Sequence, residues 1–160
     1  MAVHRRVAAA CCKPAGHAIL TRMSASGSHP QHPTPEQLAS VPLLKALNPQ
    51  QLSDLAELIE VSEISAGRAI VSEGASGYTF YVLAEGTAEV RHGERAVRTL
   101  GPRDYFGEAA IIEKTRRSAS VVAVEPCVVW SMFGATFRVL EVEHPDIAKL
   151  LQEATNTRRD

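Results

Sequence analysis

Residues 104–121 read Asp-Tyr-Phe-Gly-Glu-Ala-Ala-Ile-Ile-Glu-Lys-Thr-Arg-Arg-Ser-Ala-Ser-Val. A turn closes at Gly107, a short apolar run follows, then two arginines and the start of a strand. Glycine at such a turn lets the backbone approach a neighbour closely. The amides of Glu108, Ala109 and Ala110 fall in the first turn of a short helix, where unpaired N–H groups attract an anion. Arg117 stands nine residues beyond Glu108, far enough to fold back toward that helix start. A guanidinium can clamp a phosphate through two parallel hydrogen bonds. Glu108 would repel the phosphate, so it suits another part of a ligand, such as a sugar hydroxyl that donates to a carboxylate. Taken alone, Phe106-Gly107-Glu108 could equally be an ordinary turn and Arg116-Arg117 a solvated strand start.

The surroundings narrow the choice. From Ile64 to Met132, Gly67, Gly74, Gly77, Gly86, Gly93 and Gly101 separate short runs rich in Val, Ile, Tyr and Thr. Ala119, Val121 and Ala123 alternate with Ser118, Ser120 and Val122, the pattern of a half-buried strand. Seven or eight such strands predict a mainly β protein, a double-stranded jelly roll. Helices flank it. Thr34-Pro35-Glu36-Gln37 and Asn48-Pro49-Gln50-Gln51 both carry a cap, a proline at the first helical position and a Gln that closes a capping box. Leu52, Leu55, Leu58 and Ile59 make one apolar stripe. Thr136 to Glu141 predicts another helix. His144-Pro145-Asp146 opens a last one of about 13 residues, with Ile147, Leu150, Leu151 and Ala154 on one face.

On these residues the stretch resembles the phosphate-binding cassette of the cyclic nucleotide-binding domain, a family that includes the catabolite activator protein and the regulatory subunits of cAMP-dependent kinase. The family pattern is Phe-Gly-Glu, a short apolar helix, then Arg, a Ser, Thr or Ala, and Ala. Here it reads Phe106-Gly107-Glu108-Ala109-Ala110, then Arg117-Ser118-Ala119. Ala66-Gly67, Ser72-Glu73-Gly74 and Glu85-Gly86 resemble turns of the family's β-roll, so the likeness runs from about Val41 to Ala154. The resemblance implies that Arg117 pairs with the exocyclic phosphate oxygens and that Glu108 accepts from the ribose 2′-hydroxyl. It also implies that amides near Gly107 and Ala110 complete the cradle and that Ser118 adds a hydroxyl to the phosphate or the base edge. Val90, Val97 and Leu100 lie at family positions that wall the purine, though plain barrel core explains them equally well. The implied ligand is cAMP, ahead of cGMP, with no further cofactor.

Composition sets the bounds. At 160 residues, 45% apolar and 22% charged, the chain supports one domain with a real core. Residues 1–35 carry Arg5, Arg6, Lys13 and Arg22 and no acid, leaving 13 basic against 18 acidic residues, a net −5, in the remainder. That balance disfavours nonspecific nucleic-acid binding. Residues 1–33 read as a disordered extension, 34–154 as the domain and 155–160 as a flexible tail. The acid-free start resembles a transit peptide, or else Met23 is the true first residue. The apolar run Val7 to Cys12 is too short to span a membrane. Three cysteines, Cys11, Cys12 and Cys127, form no disulfide framework, and a cytoplasmic location is expected.

His29 and His32 could pair on a metal, but a Pro/Ser linker is a poor scaffold for it. His92 and His144 read as a turn residue and a poor helix cap. No nucleophile set or clustered metal ligands stand out, so no catalytic residue and no metal site is assigned. With no helix-turn-helix, kinase or channel segment after Ala154, direct DNA reading is not expected, and the last helix looks short for a base-capping residue. The expected role is a non-enzymatic sensor that signals occupancy through its C-terminal helices, to a protein partner or to a second copy of itself. Two alternatives come from other classes: a jelly-roll interaction module without ligand, and a cupin-like metalloenzyme.

Overall fold

The computed structural model describes residues 32–146, together with Lys149, Gln152, Glu153 and Asn156. The extension up to residue 31 with Cys11, Cys12, Met23 and His29, the stripe Ile147, Leu150, Leu151 and Ala154, and the tail beyond Asn156 lie outside the described residues.

Two short helices open the domain. α1 (Pro35–Ala39) and α2 (Pro49–Glu57) both start in complete capping boxes: Thr34 with Gln37, and Asn48 with Gln51. In each, the cap side chain accepts from the third residue's amide while the Gln side chain accepts from the cap's own amide. A 3-10 turn over Pro42–Leu44 joins them. Packing reaches back past Thr34: Pro33 is buried and the His32 ring lies 2.9 Å from Ile59 O.

Eight strands follow: β1 (Glu60–Ile64), β2 (Ala69–Val71), β3 (Thr79–Glu85), β4 (Ala88–His92), β5 (Arg95–Leu100), β6 (Tyr105–Phe106), β7 (Ser120–Ala123) and β8 (Cys127–Phe133). They form two four-stranded antiparallel sheets, ordered β1-β8-β3-β6 and β2-β7-β4-β5, the jelly roll that the glycine spacing implied. Between β6 and β7 lies α3 (Glu108–Ile112), and α4 (Gly134–Glu143) follows β8.

The first sheet is covered on both faces, which explains the nearly continuous apolar run of β8. Period-two alternation sends Phe80, Val82, Trp130 and Met132 to a core shared with α1, α2 and α4. Leu83, Cys127 and Val129 go to a second core between the sheets, with Val71, Leu100 and Val121. Phe137 of α4 packs its ring on Phe80, centroids 5.3 Å apart.

Three details depart from the sequence expectation. Leu58 does not join the stripe of Leu52, Leu55 and Ile59: α2 ends at Glu57, and Leu58, its C-cap, is 56% exposed. The post-roll helix is longer than Thr136–Glu141 at both ends, and its first residue, Gly134, donates its N–H to Tyr78 O. His144 is more than a poor cap. It ends α4 with non-helical φ −132° and ψ 79°, and its ring lies 3.1 Å from Gln51 Nε2. Because Gln51 Oε1 already accepts from the Asn48 amide, one side chain caps α2 and holds the end of α4.

Candidate functional site

α3 begins at a turn only glycine tolerates. Gly107 has φ +91°, and a Cβ there would sit 2.5 Å from Arg117 Nη1 and 2.8 Å from Thr79 O. The turn aims Glu108 inward from the first helical position. Glu108 and Arg117 are 3% and 7% exposed, and they are the charged side chains buried among the described residues. Charges are almost never buried without compensation. Arg117 finds its compensation in backbone: Nη1 donates to Gly107 O at 2.8 Å and Nη2 donates to Thr79 O. Its guanidinium also stands 5.7 Å from the centre of the Tyr81 ring, which in turn stacks on Phe106 at 5.2 Å. Burial pushes the Arg117 pKa below its ordinary value, and Tyr81 and Glu108 push it back up. The group stays cationic, since a guanidinium is not deprotonated in proteins. Two of its five N–H donors serve these carbonyls.

The segment before β3 forms the rear support. Gly74 N donates to Arg117 O at 2.8 Å, and Arg117 N donates to Ala75 O at 2.9 Å. Gly77 packs so closely on Ala110 that a Cβ there would overlap the Ala110 methyl. Sequence reading took Gly77 as strand punctuation and Gly74 as punctuation and a turn of the roll, and gave neither a part in the site. The one local signal of their role was two glycines three residues apart, a spacing no single strand needs.

A cavity of about 770 Å³ opens over this arrangement. Phe106, Gly107, Glu108, Ala109 and Ala110 line it, together with Arg117, Ser118 and Ala119 and with Val90, Val97 and Leu100. All eleven residues singled out in the sequence therefore face one space. Leu100 is fully buried, whereas Val97, on the edge strand β5, is 49% exposed and reads as wall rather than core. Sequence reading missed His92, Arg98, Tyr105, Glu113, Thr115 and Arg116, which also line the cavity. His92 and Arg98 reach it because β4 and β5 pair as a hairpin, with Val90 opposite Arg98. That register is not visible in a linear pattern.

Residues 61–144 match the family model of the cyclic nucleotide-binding domain. The chain belongs to that family. This cyclic nucleotide-binding domain is 34% identical over 105 residues to a cAMP-dependent protein kinase regulatory subunit of Colletotrichum orbiculare, covering 64% of this chain and 27% of the relative. It is 35% identical over 98 residues to cGMP-dependent protein kinase, isozyme 1, of Drosophila melanogaster, covering 57% and 13%. Among solved structures it is similar to the regulatory domain of Toxoplasma gondii PKA in co-crystal with cAMP, with a TM-score of 0.69 and 26% identity over 77% of this chain and 49% of that one. The domain thus spans about a quarter or less of the length of these curated relatives. Among the described residues no three His, Cys, Asp or Glu side chains gather as a metal set, and no helix is long and apolar enough to cross a membrane.

Proposed function

We propose that this domain binds a 3′,5′-cyclic purine nucleotide, without hydrolysing it, and passes the occupancy of the site to its C-terminal helices. The observation that carries the reading is the burial of Glu108 and Arg117 together on the wall of one large cavity. A volume of about 770 Å³ suits a small-molecule ligand, which commonly occupies about 300–1,000 Å³. Arg117 is the counter-charge for the cyclic phosphate, with the first-turn amides of α3 beside it. Glu108 accepts from the ribose 2′-hydroxyl, the one sugar hydroxyl a 3′,5′-cyclic ester leaves unesterified. The purine extends between Val90, Val97 and Leu100. The role derived for each of these groups is binding.

The route outward runs through α3. Arg138 Nη2 of α4 donates to Ile111 O at 3.3 Å, and Phe137 and Leu140 bury against the roll. A ligand that pulls on α3 therefore pulls on α4, whose end at His144 can change direction before Pro145.

cAMP is the first reading, supported by the regulatory-subunit relatives. Arg98 favours cGMP as the second. Its guanidinium lines the purine end of the cavity, 3.6 Å from Asp104, and arginine donors match guanine O6 and N7 rather than adenine's 6-amino group. Calorimetric titration of the 160-residue chain with cAMP and cGMP tests both readings. Heat from one or both with 1:1 stoichiometry is expected, and silence from both up to millimolar concentration would overturn the proposal.

A further inference from the structure

Arg117 is not alone on the phosphate side of this cavity. Arg116 lines the same space but lies at the surface, where its Nη1 donates to Gly74 O at 2.9 Å. One glycine therefore holds both arginines: its amide donates to Arg117 O and its carbonyl accepts from Arg116. Gly74 turns with φ +77°, and Ser76 pairs with Arg116 in an isolated antiparallel bridge just beyond it. The tether matters because a free arginine side chain samples many rotamers. Fixed to a carbonyl, the guanidinium stays at the rim with four of its five donors unspent on that bond.

The two cations stand in different dielectric surroundings, and they differ in what they can do. The buried Arg117 interacts strongly with whatever enters. The exposed Arg116 is screened by water and salt, so it adds little to the final bound state. A charge at the mouth of a cleft acts on approach instead, by focusing the field and raising the association rate of an opposite charge. Glu108, buried, and Glu113, half-buried, line the cavity as well, and a carboxylate repels an anion. Without Arg116 an approaching phosphate would pass Glu113 before it reached the buried Arg117.

We propose that Arg116 is the capture residue of this site: tethered to Gly74, it speeds entry of the anionic nucleotide, while Arg117 governs how long the nucleotide stays. The inference rests on the nucleotide-binding reading above. Stopped-flow association of a fluorescent cAMP or cGMP analogue with the full chain tests it, at ionic strengths of ~0.01 M and ~1 M, where the Debye length is about 30 Å and 3 Å. At low salt R116Q should associate about threefold or more slowly than the wild type, R116E more slowly still, and R116K close to wild type, because charge and not shape decides capture. At high salt all four should converge, with dissociation rates alike throughout. Association of R116Q equal to wild type at low salt overturns the inference while leaving nucleotide binding intact. So does slowing that persists at high salt, a change confined to dissociation, or R116K as slow as R116Q. Absence of association in the wild type overturns the binding reading and this inference with it.

Discussion

Replacing Arg117 by alanine separates the two jobs its guanidinium performs. In the ligand-bound state it removes a charge-assisted partner from a partly desolvated phosphate, a loss on the order of 2–5 kcal/mol. At 1.4 kcal/mol per tenfold, that is roughly 30- to 4,000-fold in Kd. In the unliganded fold it strands Gly107 O and Thr79 O, which lose their Nη1 and Nη2 donors. Each stranded carbonyl costs about 1–3 kcal/mol if it stays dry. Part of this is offset, because a buried guanidinium no longer has to be desolvated, the largest influence on its pKa. Glu108→Ala should cost less in affinity, about 1.5–3 kcal/mol, since a charged acceptor of one neutral hydroxyl is lost. The assay is calorimetry for Kd beside urea unfolding for stability, on both variants. Equal affinity losses in the two would show the roles to be misassigned. Wild-type affinity in Arg117→Ala, with the fold intact, would refute the argument outright.

Gly107→Ala forces a side chain into φ +91° and against Arg117 Nη1, so it should cost about 1–3 kcal/mol of stability and abolish measurable binding, seen in thermal denaturation and titration. Nucleotide should slow amide exchange in residues 134–144 as well as in 104–121, with coupling of about 1–3 kcal/mol; Gln51→Ala, which frees His144, should speed exchange at 140–144 without nucleotide. Protection confined to 104–121 would mean a binder that does not signal through this end. Burial pushes the Cys127 thiol up, so the folded state prefers the protonated form. Its contribution is complete below the unfolded value of about 8.5 and is lost as pH rises toward the higher folded value. Urea midpoints should therefore fall more steeply between about pH 8 and 10 in the wild type than in Cys127→Ala, and parallel slopes would refute the assignment.

Much of this protein is legible in its sequence because much of it is local. The capping boxes at Thr34 and Asn48 close within three residues, and both form as the residue types require. Glycine spacing marks the strand ends, and period-two alternation in β7 buries Val121 and Ala123 while leaving Ser120 and Val122 half-covered. Glu108 and Arg117 could be singled out because their residue types, the spacing between them and the glycine before them sit in one short stretch. Leu58 misled, since a stripe counted at helical spacing assumes a helix that has already stopped.

Tertiary structure decided what holds those residues in place. Arg117 is fastened to Thr79, 38 residues away, and Gln51 reaches His144 across 93. Gly74 and Gly77 become supports of the site only once the β2–β3 connection lies behind α3. His92 and Arg98 join the cavity through the β4–β5 register, and Arg116 differs from Arg117 in burial although the two are adjacent in the chain. Residue type and near-neighbour spacing are enough to choose helix, strand, cap and turn, because those free energies arise within a few residues. Burial, the backbone partners of a buried charge and the walls of a cavity depend on contacts between distant segments, and these exist only when the two sheets and the helices around them have packed.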